Sequence, residues 1–205
     1  MKRSPPGKFI VLEGIDGAGC ETQTRLLFNY FRKQNKSVEK LYYPDYRNPI
    51  GKLIHQYLHK VYEFPADVQL LLYCADFLKD KDKINKWLKQ GKIIICDRYF
   101  TSTLAYQGLR GVSVKKALEF AELFGLPKPN LIIYLKVKPE ISIKRKYKEK
   151  KKLDRNEADK LFLTRVAKYY QKLIKRQIFG KWVVIDGEKS INKVTEQIKK
   201  TFTKL

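Results

Sequence analysis

The sequence lacks the features that mark several protein classes. None of its apolar runs approaches the length of a membrane span. Its start, "MKRSPPGKFIVLEG", is basic, but the apolar run "FIVL" is too short for the core of a signal peptide and follows Pro5, Pro6 and Gly7. Cysteine is scarce: Cys20, Cys74 and Cys96 form no C-x-x-C pair, which argues against a zinc site or a disulfide framework. Cys74 and Cys96 sit in apolar contexts and read as small buried hydrophobes. The two histidines, His55 and His59, lie four apart on a predicted helix without an acidic partner in a metal motif. They read as a solvated face. No internal repeat or linker interrupts the chain, so one domain over residues 1–205 is expected, long enough for a proper core. Together these absences predict a soluble cytoplasmic protein with no membrane partner.

Acidic residues are also few. Against 44 Lys and Arg stand 21 Asp and Glu, a formal net charge of +23. Such an excess points to a polyanionic partner, either nucleic acid or a phosphate-rich small molecule, or to a lysine-rich surface of the kind seen at high temperature. Charge alone does not choose among these. No nucleic-acid-binding module is recognisable, which leaves that reading well behind a small phosphate-bearing ligand.

What is present is an alternation of short apolar runs with helical periodicity. "KFIVLEG", "VEKLYYP", "KIIICDRY", "PNLIIYLKV" and "WVVIDG" read as strands, the third and fourth apolar enough to be covered on both faces. Helical patterns separate them. One of these, residues 65–91, is long enough to expect a bend before it stops at Gly91. The order predicts an α/β fold: a parallel sheet covered by helices on both faces, with ligands beyond the carboxyl ends of the strands. A charge-dense insertion, "KRKYKEKKKLDR" over 144–155, reads either as a solvated basic helix or as a lid over phosphates.

The loop after the first strand is "GIDGAGCETQT", residues 14–24. A phosphate loop follows G-x-x-x-x-G-K-[S/T], with lysine for the terminal phosphates and the hydroxyl for magnesium. Gly14 and Gly19 keep that spacing, whereas Cys20 stands at the lysine and Glu21 at the Ser/Thr; Thr22 is kept. One unit-charge pair at ~4 Å and an effective dielectric near 20 is worth about 4 kcal/mol. Losing that much transition-state stabilisation slows a reaction roughly a thousandfold if nothing compensates. Cys20 as a phosphatase nucleophile fits poorly, because Arg25 lies one residue too close for C-x5-R.

Taken in order, further stretches resemble the thymidylate kinase family. "LEGIDGAG" is similar to its loop and "YPDYRNPIGKLIHQYL" to its F-P…G-x-L-I segment. "DRYFTSTLAYQGLRG" matches its D-R-Y-x-x-S-x-x-A-Y-Q-G signature, the most specific of the set. "GLPKPNLIIYLKVKPE", "LDRNE" and "WVVIDGEKSINKV" continue the match to about residue 198. The resemblance implies a P-loop NTPase three-layer fold with a basic helical lid at about 141–158. It implies phosphoryl transfer from ATP to dTMP with Mg²⁺, and a homodimer.

By the same resemblance, Gly14, Gly17, Gly19, Cys20, Glu21 and Thr22 would bind ATP. Asp16, Tyr46, Tyr73, Arg98, Tyr106 and Gln107 would bind dTMP, with Arg98 clamping its phosphate and Tyr73 beneath the thymine. Asp97 and Asp16 would serve the metal. Asp16, Asp97 and Arg98, with Arg145 and Arg155 of the lid, would carry catalysis. The small loop residues Gly17 and Ala18 beside lid arginines resemble the members that keep their catalytic cations in the lid. Lys144, Arg145, Lys146 and Arg155 are all candidates to replace the loop charge. Phe77 stands where the family has an arginine at the thymine edge, and Gln107 or Arg110 is a candidate substitute. The alternatives are a kinase-like nucleotide-binding protein with little or no turnover, and a monophosphate kinase with another base preference.

Overall fold

A computed structural model describes residues 6–149, 154–157 and 159–202. Five parallel strands form one sheet: β1 (Lys8–Glu13), β2 (Val38–Tyr42), β3 (Ile93–Asp97), β4 (Leu131–Lys136) and β5 (Trp182–Asp186), in the order β2-β3-β1-β4-β5. The register pairs Val11 with Cys96 on one side and with Ile132 on the other, so β1 lies at the centre. Phe9, Ile10, Val11 and Leu12 are fully buried, as are Ile94, Ile95, Cys96, Ile132 and Ile133. These continuous apolar runs have helices over both faces, as a parallel sheet requires.

The first crossover, α1 (Cys20–Lys33), runs from β1 to β2, and every later crossover runs the opposite way along the sheet. Right-handed connections therefore put α1 on one face and the intervening helices on the other. On the first face α1 packs against α9 (Ile191–Phe202). On the second, α5 (Phe100–Leu109) packs against α3 (Ala66–Leu78) and α8 (Lys160–Lys175), with α2 (Pro49–Leu58) outside α3. The remaining helices are α4 (Lys81–Lys89), α6 (Val114–Leu123) and α7 (Pro139–Glu149).

The long helical stretch is two helices rather than one bent one. It breaks at Lys79 and Asp80, where the Asp80 carboxylate takes the Tyr43 hydroxyl at 3.0 Å and the Lys79 ammonium at 2.6 Å. Side-chain caps set some of the other starts, those of α2 and α8 among them. Asn48 caps α2 by accepting from Gly51 N at 3.1 Å, with Pro49 in the first turn. Asp159 caps α8 through Phe162 N at 2.8 Å. By contrast, α1 begins at Gly19 with no side-chain cap, which leaves its first N–H groups for another acceptor. That open end lies beyond the carboxyl end of β1, beside those of β3 and β4.

Candidate active site

A cavity of about 710 Å³ opens at this edge of the sheet. The loop 14–21 forms its floor. Gly17 (φ +81°) and Gly19 (φ +97°) hold left-handed conformations that side chains with a Cβ resist, and they turn the chain from β1 into α1. A Cβ on Gly17 would also lie 2.4 Å from the carbonyl oxygen of Ser142 on α7, so glycine is what lets α7 rest on the loop. The cradle of backbone N–H groups at a helix N-terminus is therefore intact and faces the cavity. Cys20 is buried and its thiol pKa is pushed well up, by burial first and then by the charge of Asp97. It is neither a cation nor an activated nucleophile. Glu21 is exposed on the cavity wall, as befits a carboxylate in the first turn of a helix.

The end of β3 supplies the second half of the site. Arg98 has φ +61°, an unfavourable value for a side-chain-bearing residue, and three bonds hold its guanidinium. It donates to Asp16 Oδ1 at 2.7 Å, to Gly14 O at 2.9 Å and to Ser102 Oγ at 3.3 Å. Burial is the largest single influence and works against its charge, but Asp16, Tyr106, Tyr170 and Cys20 together outweigh it and raise its pKa. The other Asp16 oxygen accepts from the Tyr106 hydroxyl at 2.8 Å. Beneath this group Glu13, fully buried, accepts from Tyr99 N, Ser102 N, Thr101 Oγ1, Ser102 Oγ and Tyr170 OH. Burial raises the Glu13 pKa in spite of these donors. It pins the turn that presents Arg98.

Asp97 faces the loop. Its Oδ1 is sealed from solvent with no hydrogen-bond partner, and its pKa is pushed up to about 7. Burial is the main cause; the Arg98 charge opposes it, and the charges of Glu21 and Glu13 add to it. An orphaned carboxylate oxygen beside a phosphate cradle suits a hard cation with oxygen ligands. The residues present thus fit magnesium at Asp97, while each oxygen of Asp16 already holds a donor.

The far wall is aromatic. Tyr73 of α3, half-buried, and Tyr106 of α5 both line the cavity. Tyr46 lies at the rim, its ring edge-on to His55 at 5.1 Å, and His55 stacks on His59 at 4.0 Å. The two histidines are exposed, but they border the cavity, which their sequence context did not reveal. Gln107 is buried with its Oε1 unpartnered, a free acceptor on the cavity wall. Phe77 is buried edge-on to Tyr43, with ring centroids 5.0 Å apart, and offers no polar atom.

The segment 141–158, expected to act as a lid, is described except for 150–153 and 158. Its described cations divide sharply. Arg145 donates to Gly187 O at 2.9 Å, bracing the turn after β5. Arg155 forks onto both oxygens of Glu63 at 2.7 Å and covers the Tyr57 ring, which ties the lid to the α2–α3 connection. Neither lines the cavity. Lys144 is exposed, whereas Lys146 lines the cavity, as do Asp154, Asn156 and Glu157.

A family model described as thymidylate kinase matches residues 12–198. The chain belongs to the thymidylate kinase family. Among curated relatives, the thymidylate kinase of Dictyostelium discoideum is 31% identical over 197 residues, covering 96% of this chain and 85% of that one. The probable thymidylate kinase of Staphylothermus marinus is 34% identical over 203 residues, covering 95% and 94%. Among solved structures, the thymidylate kinase of Candida albicans superposes with a TM-score of 0.77 at 25% identity, covering 97% of this chain and 92% of that one. The family supplies the fold anticipated from the strand order, a P-loop NTPase-like α/β sandwich.

Proposed function

We propose that the chain transfers the γ-phosphoryl group of ATP to dTMP, giving dTDP, as one kinase domain with residues 141–158 as its lid. The observation that carries this is the presence of two phosphate-holding devices in one cavity. The uncapped helix N-terminus with its glycine loop is one; Arg98, fixed by Asp16 and Gly14 O, is the other. A donor and an acceptor phosphate held face to face is the arrangement that in-line transfer needs.

The acceptor's phosphate oxygen attacks the γ-phosphorus; the new O–P bond forms as the bond to the β,γ-bridging oxygen breaks, and ADP leaves. Arg98 orients the acceptor phosphate through the planar fork of its guanidinium. Asp16 and Tyr106, already bonded to each other, meet the sugar. Tyr73 and Tyr46 flank the base, because flat rings stack, and Gln107 Oε1 accepts from its N–H edge. Backbone N–H groups of 14–22, with the Thr22 hydroxyl, hold the ATP phosphates. Asp97, with Glu21 also lining the cavity, would hold magnesium, which would supply charge neutralisation for the ATP phosphates. Arg145 and Arg155 act by bracing the lid in place. A homodimer and a cytoplasmic location are expected from the resemblance, the former checked by light scattering.

The test is coupled ATP/dTMP turnover in the presence of Mg²⁺, with dUMP, dCMP, dGMP and dAMP as competitors. Turnover with dTMP that falls at least a hundredfold in Arg98→Lys supports the assignment. Nucleotide binding without turnover on any acceptor overturns it in favour of a kinase-like binding protein.

A further inference from the structure

The loop that should carry a lysine carries Cys20, yet the cavity above it holds an ammonium brought from elsewhere. On α7, Ser142 and Lys146 are four residues apart and share the face that meets the loop. Ser142 is fully buried, and its carbonyl sits against Gly17. One turn on, Lys146 Cγ lies 3.2 Å from the position of a Cβ on the same glycine, and the side chain lines the cavity. Arg145, about 100° around the helix, turns away to Gly187 O.

The Lys146 ammonium is held 3.5 Å from Glu157 Oε1, and Glu157 is itself almost fully buried. The other Glu157 oxygen accepts from Asp154 N at 2.9 Å, so the ion pair is anchored to the descending end of the lid. The Lys146 charge also reaches Asp97 and opposes the rise of its pKa. Two other cations touch the cavity rim and are engaged or placed differently. Lys40 lies over the Phe28 ring at 5.5 Å, and Arg25 is exposed one turn beyond Glu21 on α1.

We propose that Lys146 is the catalytic cation that replaces the missing loop lysine, delivered by α7 onto Gly17 and aimed by Glu157 at the transferred phosphate. This rests on the kinase reading above and deepens it. In this arrangement the cation belongs to the lid helix rather than to the loop, so charge neutralisation depends on the α7–Gly17 contact. Exchange of lysine for cysteine at position 20 is then a relocation of charge, not a loss of it.

The experiment uses the full chain with Lys146→Ala, Lys146→Arg, Arg25→Ala, Cys20→Lys and the double variant Cys20→Lys/Lys146→Ala. Wild-type turnover of ATP and dTMP tests the kinase reading by itself. Calorimetric affinities for ATP and ADP test Lys146 whether or not turnover is seen. Lys146→Ala should lower kcat by about 10²–10³-fold, the usual cost of one transition-state donor. The KM for dTMP should move by less than about threefold, since that substrate is held by Arg98. The same variant should lose the preference for ATP over ADP, while Lys146→Arg recovers at least tenfold in kcat. Cys20→Lys should raise the activity of Lys146→Ala at least tenfold more than it raises that of the wild type. The proposal is overturned if Lys146→Ala keeps kcat within threefold, if Arg25→Ala loses as much, or if the gain from Cys20→Lys is equal in both backgrounds. Should Lys146→Ala fail to fold, Lys146→Met takes its place against the same thresholds.

Discussion

Glu13 offers a sharp test of how the acceptor half of the site is held. Its two oxygens take five donors, two of them backbone N–H groups (Tyr99 and Ser102) that have no freedom to turn elsewhere. Glu13→Ala orphans those two at about 1–3 kcal/mol each. The three hydroxyls suffer less, because Ser102 Oγ and Tyr170 OH already lie 3.0 Å apart and can bond each other. A loss of about 2–6 kcal/mol follows, or a fall in Tm of roughly 4–24 °C for a chain of this length. Glu13→Gln should behave differently. Its amide oxygen can serve the backbone N–H groups, while its NH₂ donates to the Ser102 and Tyr170 hydroxyls, which are able to accept. It forfeits charge-assisted bonds but sheds the burial cost that raises the Glu13 pKa, so the change should stay within about 1.5 kcal/mol. The sign with pH follows from that shift. A carboxyl whose folded pKa is raised contributes stability below its unfolded value that is lost as pH rises through the folded one. Glu13→Gln should therefore gain on the wild type as pH rises above the ordinary carboxylate range. Urea denaturation gives the stabilities and calorimetry the dTMP affinity, which should weaken more than tenfold in Glu13→Ala as the turn carrying Arg98 loosens. Equal damage from both substitutions, or an alanine variant within 1 kcal/mol of wild type, would refute the argument.

Asp97, with its pKa pushed up to about 7, contributes stability that is present below pH ~4 and lost as pH rises through 7. Without nucleotide or Mg²⁺, Asp97→Asn should thus exceed the wild type by about 1–4 kcal/mol at pH 8 and match it at pH 4, while losing kinase activity; urea curves giving the same difference at both pH values contradict this. All three cysteines are buried and the Cys20 and Cys96 thiols have strongly raised pKa values, so a thiol reagent at pH 8 should titrate fewer than one group in the native protein and three in denaturant. The net charge of +23 acts on incoming polyanions through long-range fields that salt screens. Raising ionic strength from 0.02 to 0.3 M, roughly a fourfold shorter screening length, should lower kcat/KM several-fold and leave kcat nearly constant; a parallel fall in both places the effect inside the cavity.

The sheet was legible because its central strands β1, β3 and β4 are apolar runs bounded by glycine, proline or charge, signals that depend on only a few neighbours. Arg98 was legible for the same reason, as the polar end of such a run. The helix α5 carries no clear period because Thr101, Thr103, Ala105, Tyr106 and Gln107 are buried on all sides, between α3 and α8. The lid resists reading for the opposite reason. Lysine and arginine run through the sequence from 144 to 155, so composition cannot tell Arg145, which braces a backbone carbonyl, from Lys146, which lines the cavity. Only the contact of Ser142 with Gly17 fixes which face of α7 turns inward. Glu13 was hidden by its neighbours: at the end of "KFIVLE" it reads as the last residue of a strand, and its five donors come from residues 86 to 157 positions away.

The charge of the cavity bears on how such a loop can function. Although the chain is strongly basic, the described side chains lining the cavity include more acids than fixed cations: Asp16, Glu21, Asp97, Asp154 and Glu157 against Arg25, Lys40, Arg98 and Lys146. The acids are not idle negative charge. Asp16 fixes Arg98, Glu157 fixes Lys146, and Asp154 shapes the turn that holds Glu157. Each of these carboxylates spends its charge on aiming a cation or a backbone turn, which leaves Asp97 and Glu21 facing the loop. A phosphate approaching that loop meets oriented N–H groups and one aimed ammonium, with two carboxylates that only a divalent cation can turn from repulsion to attraction. The exchanges at positions 20 and 21 act together in this respect. Removing the loop lysine and adding Glu21 move positive charge out of the polypeptide at that point, onto the lid on one side and onto the metal on the other. On the reading proposed above, phosphate transfer requires both α7 and a divalent cation in place, so that charge neutralisation itself signals that the donor is properly bound.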